Sequence, residues 1–101
     1  MILIYITCKD KKEAKNIGIF LIRKRLAVCC NIFPIDSIYR WQGKIIKSGE
    51  VVLVIKTLKK NFNKIEKEVK KLHSYRVPCI LEIPINRGNK AYFNWLEKEI
   101  D

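Results

Sequence analysis

The sequence predicts an α+β domain of the ferredoxin-like, split β-α-β type, ordered β-α-β-β-α-β with one added C-terminal helix. Three observations carry that prediction. Short runs rich in β-branched residues alternate with segments of helical period in that order. The runs at 2–8 and 51–55 are apolar on both faces, as central strands are. The 101 residues, 49% hydrophobic and 31% charged, suffice for a single globular domain over 1–101 and not for two.

Each element follows from a local pattern. Residues 2–8 form the first strand. Asp10-x-x-Glu13 has the form of a capping box, and Ala14, Ile17, Gly18, Leu21 and Ile22 recur at helical spacing, so a helix spans 11–25. Gly18 lies on its apolar face, where a missing side chain lets the helix approach a sheet. Residues 27–34 form a second strand closed by Pro34, and Gly43 marks a turn or bulge before a long strand over 45–57. Phe62, Ile65, Val69 and Leu72 place a second helix at about 60–72. Residues 77–84 supply another strand, and Asn89 caps a last helix whose apolar face is Tyr92, Trp95, Leu96 and Ile100. Right-handed crossovers set the first two helices on one face of a four-stranded antiparallel sheet, with 2–8 and 45–57 at its centre.

Composition narrows the function. Lys and Arg number 21 against 10 acidic residues, a net charge of +11 that invites a polyanion partner. Abundant Ile, Lys and Asn, however, also follow from AT-rich codons, which weakens a functional reading of the charge. Apolar runs reach about six residues, too short to cross a bilayer. No basic leader or small-residue cleavage site accompanies the first apolar run, so a cytoplasmic protein is expected. Cys8, Cys29, Cys30 and Cys79 contain no Cys-x-x-Cys spacing, which argues against a structural zinc site or a thioredoxin-like motif. A reducing compartment argues against disulfides, and small apolar filler is the plain reading of Cys8, Cys30 and Cys79. In a strand, adjacent Cys29 and Cys30 point to opposite faces.

Motifs for chemistry are sparse. Neither a P-loop nor a Gly-x-Gly-x-x-Gly turn is present, and one histidine, His73, cannot build a multi-histidine centre. A catalytic Cys–His pair would need His73 beside a thiolate. The two central strands carry one aromatic residue, Tyr5, so the base-stacking platform of an RNA recognition motif is missing and nucleic acid is disfavoured as a partner. An enzyme is not expected. Tyr39-x-Trp41 lies outside the buried run of its strand, where aromatic side chains mark an interface or pocket. His73-x-Tyr75-x-x-Pro78 stands at a helix-to-strand junction.

The stretches Leu26–Ile32, Ser37–Lys44, Ile55–Thr57, His73–Pro78 and Gly88–Leu96 together are similar to the CutA family, the divalent-cation tolerance proteins. Leu26-Ala27-Val28-Cys29-Cys30-Asn31-Ile32 resembles the family's Leu-Ala-Ala-Cys-Val-Asn-Ile. Ser37-Ile38-Tyr39-Arg40-Trp41-Gln42-Gly43-Lys44 resembles its Ser-Ile-Tyr-x-Trp-x-Gly-Lys, and Glu50 and Ile55-Lys56-Thr57 match as well. His73-Ser74-Tyr75-Arg76-Val77-Pro78 resembles His-Pro-Tyr-Glu-Val-Pro, and Gly88-Asn89, Tyr92 and Trp95-Leu96 complete a likeness over about residues 3–97. Arg76 and Cys79 stand where the family has glutamates, which removes two carboxylates from its most specific segment.

The resemblance implies a PII-like homotrimer that takes part in copper and other divalent-cation tolerance without an established reaction. It implies a weakly bound divalent cation, copper or another, with Cys29 and His73 as metal ligands. It also implies an intersubunit pocket that includes Tyr39, Trp41, Lys56, His73, Tyr75 and Trp95. Two alternatives remain open at this point: a PII-like sensor of an anionic small ligand anchored by Lys56, and a basic nucleic-acid binder.

Overall fold

A computed structural model describes residues 1–100. Its elements are β1 (Ile2–Cys8), α1 (Lys11–Arg23), β2 (Cys29–Trp41), β3 (Lys44–Thr57), α2 (Phe62–Leu72), β4 (Ile80–Pro84) and α3 (Lys90–Glu99). The four strands form one antiparallel sheet in the order β2-β3-β1-β4. The α+β, split β-α-β reading of the sequence therefore holds, with β1 and β3 central.

Alternation along β1 sets the layers. Ile2, Ile4, Ile6 and Cys8 are buried while the residues between them are half-buried. The buried set meets Ala14, Ile17 and Leu21 of α1 and Ile65 and Val69 of α2, which form one core with Leu53 and Ile55 of β3. Gly18 sits where the sequence places it. A methyl group there would stand 3.3 Å from Cys30 Sγ, so the helix rests almost directly on β2. Cys30 faces the core, and Cys29, its neighbour on a strand, faces the other side.

Among the boundaries that differ from the sequence expectation are the ends of the first helix and the second strand and the start of the last strand. The first helix ends at Arg23 rather than 25 because Arg25 takes a left-handed conformation, φ 57°. The amides of Arg25 and Leu26 then bond Ile22 O and Leu21 O, a Schellman closure with arginine at the position glycine usually holds. Pro34 does not close the second strand. β2 pairs without interruption from Cys29↔Lys56 to Trp41↔Lys44, and an edge strand has positions whose missing N–H leaves no ladder bond unmade. The last strand starts at Ile80, not 77; ahead of it the Ser74 amide donates to Glu13 Oε2 and Tyr75 Oη donates to Glu50, which ties this segment to α1 and β3 instead.

The β2–β3 hairpin is the unusual part of the architecture. Gln42 and Gly43 both have positive φ, 50° and 78°, the signature of a two-residue type I′ turn. β1 reaches only to Cys8↔Val51, so residues 35–41 and 44–50 pair with each other and with no third strand. This arm projects by about 23 Å at the usual strand rise, and the chain measures 45 × 26 × 21 Å. α3 packs at the opposite end. Asn89 Oδ1 accepts from the amides of Ala91 and Tyr92, Arg25 Nε donates to Glu99 O, and Leu96 is fully buried while Trp95 stays half exposed. Among the described residues, no helix is long and apolar enough to cross a membrane.

Candidate functional site

Where β1 ends, α1 begins and α2 stops, three side chains of metal-ligating type converge. Cys8 Sγ, one Glu13 oxygen and one His73 nitrogen lie within 4.8 Å of one another, and all three residues are buried. The sequence explains each placement. Cys8 is the last core-facing residue of β1. Asp10 caps α1 by accepting the Glu13 amide at 2.8 Å, which turns the Glu13 side chain back toward the strand end. His73 caps the C-terminus of α2, its amide donating to Val69 O at 2.8 Å.

Hydrogen bonds lock this cluster. Tyr75 N–H donates to His73 Nδ1 at 3.0 Å, so the ring proton of the neutral imidazole sits on Nε2 and donates to Thr7 O at 2.8 Å. Glu13 Oε1 accepts from Lys9 N–H at 3.0 Å and Oε2 from Ser74 N–H at 2.8 Å. Burial pushes the Glu13 pKa up, but the hydrogen bonds from Ser74 and Lys9 and the neighbouring His73 outweigh it and hold the carboxyl below its ordinary range. Burial, with Glu13 next in order and then Asp10 and Glu50, pushes the Cys8 thiol up to about 12. The histidine does lie beside a cysteine, yet that cysteine is a protonated thiol and not the thiolate a nucleophilic pair requires.

A groove adjoins the cluster on the face of the sheet away from α1 and α2. It encloses about 790 Å³ between the arm and the 74–79 segment, with Tyr5, Tyr39, Trp41 and Tyr75 among its walls. Glu50, opposite Ile35 at the base of the arm, accepts a 2.7 Å hydrogen bond from Tyr75 Oη. Burial and that bond to a carboxylate raise the Tyr75 pKa well above the usual phenol range. Cys79 hydrogen-bonds the Thr7 side chain, and burial raises its pKa.

The residues singled out by sequence fall into two groups. His73 belongs to the cluster, and Tyr39, Trp41 and Tyr75 share the groove. Lys56 and Trp95 lie at the other end of the sheet, where the Lys56 ammonium stands 5.6 Å from the Tyr92 ring centroid and Tyr92 packs against Trp95 at 5.6 Å. Cys29 is at that end too. It pairs with Lys56, whereas Thr7 above His73 pairs with Val52, four positions and about 13 Å away along β3. Within one chain, then, Cys29 and His73 do not meet, and the companions of His73 are Cys8 and Glu13. Sequence reading had Cys8 as filler and Glu13 as a capping residue. The available signal was their joint position, one at a strand end and the other in the first turn of the next helix.

Comparison with known proteins identifies the family. The sequence profile of the family described as CutA1 divalent ion tolerance protein matches residues 2–99. The divalent-cation tolerance protein CutA of Archaeoglobus fulgidus is 43% identical over 98 residues, covering 97% of this chain and 96% of that one. That of Thermus thermophilus is 42% identical over 96 residues, 94% of this chain and 93% of its own. A solved structure described as that of the periplasmic divalent cation tolerance protein CutA from Archaeoglobus fulgidus superposes with a TM-score of 0.97 at 42% identity, covering both chains in full. By profile, sequence and fold, the chain belongs to the CutA1 family of divalent ion tolerance proteins.

Proposed function

We propose that this protein works in divalent-cation tolerance as a homotrimer that binds copper or a similar cation weakly and catalyses no reaction. The observation that carries the reading is the convergence of a thiol, an imidazole and a carboxylate within 4.8 Å. That S, N, O set suits copper or zinc better than a hard cation, and three protein ligands leave a position for water. The fit is conditional. A cation must displace the hydrogen bonds to Thr7 and Tyr75 or to Glu13, and it must remove a proton from a thiol at about 12. Binding is therefore weak at neutral pH and strengthens as pH rises. The same protonated thiol and fully bonded imidazole supply no activated nucleophile, which favours binding over catalysis.

The trimer reading rests on surfaces. β2 and β4 are open edges, and the sheet face away from α1 and α2 leaves Phe33, Leu81 and Ile83 over two-fifths exposed. An arm and an open edge on opposite sides of one sheet are suited to a head-to-tail ring. The intersubunit pocket expectation requires that the Cys29–Lys56–Trp95 end of one chain meet the groove of another. All four cysteines are free thiols, which suits a cytoplasmic location.

Calorimetric titration with copper(II) and zinc(II) at pH 6.5, 7.5 and 8.5 tests the metal reading. Affinity should rise about tenfold or more per pH unit with release of protons; Cys8→Ser should abolish that dependence, and His73→Ala should weaken binding. Unchanged binding in both folded variants would remove the cluster from the reading.

A further inference from the structure

The charge of the chain is not spread evenly. Residues 9–25 and 59–71, which hold α1, α2 and their flanks, carry 13 of the 21 basic residues and 4 of the 10 acidic ones, a net +9 of the total +11. Residues 72–101 balance at four against four. Codon bias acts along the whole chain and does not account for that asymmetry. The topology gathers the two segments into one layer. Glu13 near the start of α1 lies 3.9 Å from His73 at the end of α2, and Asn61 before α2 donates to Leu26 O beyond the end of α1, so the helices run antiparallel side by side. Their buried residues face the sheet, and Lys11, Lys12, Lys15, Lys60, Lys64 and Lys67 are exposed on the layer. None of these six ammonium groups has a carboxylate within 4.0 Å among the described residues. The layer covers the sheet face opposite the one assigned to assembly, so the proposed ring would leave it accessible.

A surface of one sign repels itself, and a polyanion relieves that repulsion. The side chains select which polyanion. Eleven of the 13 cations are lysines, point charges that suit a field of lipid headgroups, whereas the forked guanidinium of arginine reads individual phosphates. Neither helix exposes an aromatic ring on which a base could stack, Phe20 and Phe62 being half-buried. Both helices lie flat against the sheet, so neither can enter the groove of a duplex. The exposed apolar side chains of the layer are instead aliphatic: Ile19 of α1 is 49% exposed and Leu72 of α2 45%. Nucleic acid has no use for them. The boundary between headgroups and acyl chains accepts them, while the flanking lysines extend to the phosphates. We propose that the α1–α2 face docks peripherally on a bilayer of anionic phospholipid, held by the unpaired lysines of the layer and by Ile19.

The docking face is separate from the metal reading, and EDTA keeps cations from bridging protein and lipid in the test. The full chain is sedimented with vesicles of phosphatidylcholine alone or with about 30% phosphatidylserine, at about 50 and 300 mM salt. Binding at low salt should favour the anionic vesicles at least tenfold, and it should fall at least fivefold at high salt. Lys60→Glu, Lys64→Glu and Lys67→Glu together should weaken it at least tenfold. Arg87→Glu, Lys90→Glu and Lys98→Glu together change the net charge equally but away from the layer, and should alter binding less than twofold. Ile19→Ser should weaken it at least threefold at unchanged charge. All of these positions are exposed, so the variants should keep the dichroism of the parent. No preference for anionic vesicles, equal losses in the two triple variants, or an Ile19→Ser protein that binds like the parent overturns the proposal. Tighter binding per phosphate to a DNA duplex of about 24 base pairs than to the anionic vesicles also overturns it, since the partner would then be nucleic acid.

Discussion

Tyr75 Oη donates to Glu50 Oε2 across 2.7 Å and joins the segment after α2 to the base of the β2–β3 arm. The bond spans two parts of the chain that share no ladder. Tyr75→Phe leaves a buried carboxylate without its protein donor and should cost about 1–3 kcal/mol in urea unfolding. Replacing both partners, as Tyr75→Phe with Glu50→Leu, should recover most of that loss. A double variant as unstable as the sum of its parts would show that the bond contributes little.

Glu13 connects three elements through backbone donors, and its folded pKa lies below the ordinary carboxylate value. A depressed carboxylate stabilises the fold above its unfolded pKa and loses that contribution as pH falls through the folded one. Glu13→Gln should therefore lower stability by about 2 kcal/mol at pH 7. The gap between the two proteins should narrow as pH drops below about 4. Urea midpoints at pH 7, 5 and 3 give the comparison, and a gap that widens on acidification would contradict the assignment.

The close approach of α1 to β2 at Gly18 is also open to test. Alanine gains helix propensity of about 1 kcal/mol, but its methyl would press on Cys30 Sγ at 3.3 Å. Gly18→Ala should be neutral to mildly destabilising, and Gly18→Val destabilising by about 2 kcal/mol or more. Adding Cys30→Ala should turn Gly18→Ala into a stabilising change. Thermal melts of the parent, the two Gly18 variants, Cys30→Ala and the double variant would decide it.

The proposed assembly makes a prediction at the open face of the sheet. Leu81 is 55% exposed on β4, opposite Tyr5. Leu81→Lys places a charge there and should shift sedimentation from three chains toward one while leaving far-ultraviolet dichroism near that of the parent. An undisturbed trimer would move the interface elsewhere.

Much of the fold could be read from the residues because periodicity and capping signals coincide. Asp10, Gly18 and Asn89 each sit where a cap or a close contact demands them, and the apolar runs of β1 and β3 announced central strands. Where reading failed, tertiary context overrode a local signal. Pro34 punctuates a strand only if its missing N–H would be needed, and on an edge it is not. Arg25 adopts a conformation usually left to glycine because Leu26 then reaches the core and its carbonyl accepts from Thr57 Oγ1 and Asn61 Nδ2. The cluster was half legible. His73 was visible as the lone histidine at a helix end, but Cys8 and Glu13 join it only through the fold, 65 and 60 residues away along the chain. The division of Tyr39 and Trp41 from Lys56 and Trp95 likewise needs the sheet register, which no spacing encodes.

The arm has a dynamic consequence. A two-stranded ribbon without a third strand is marginally stable in water, so its amides are held by seven residue pairs that can open without disturbing the core. Hydrogen exchange should therefore run as a gradient, fastest beside Gln42 and Gly43 and slowest near Val51, where β1 joins the ladder. Its steepness should depend on protein concentration if neighbouring chains clamp the ribbon. In the proposed trimer, the opening rate of the hairpin would then report how much of the protein is assembled.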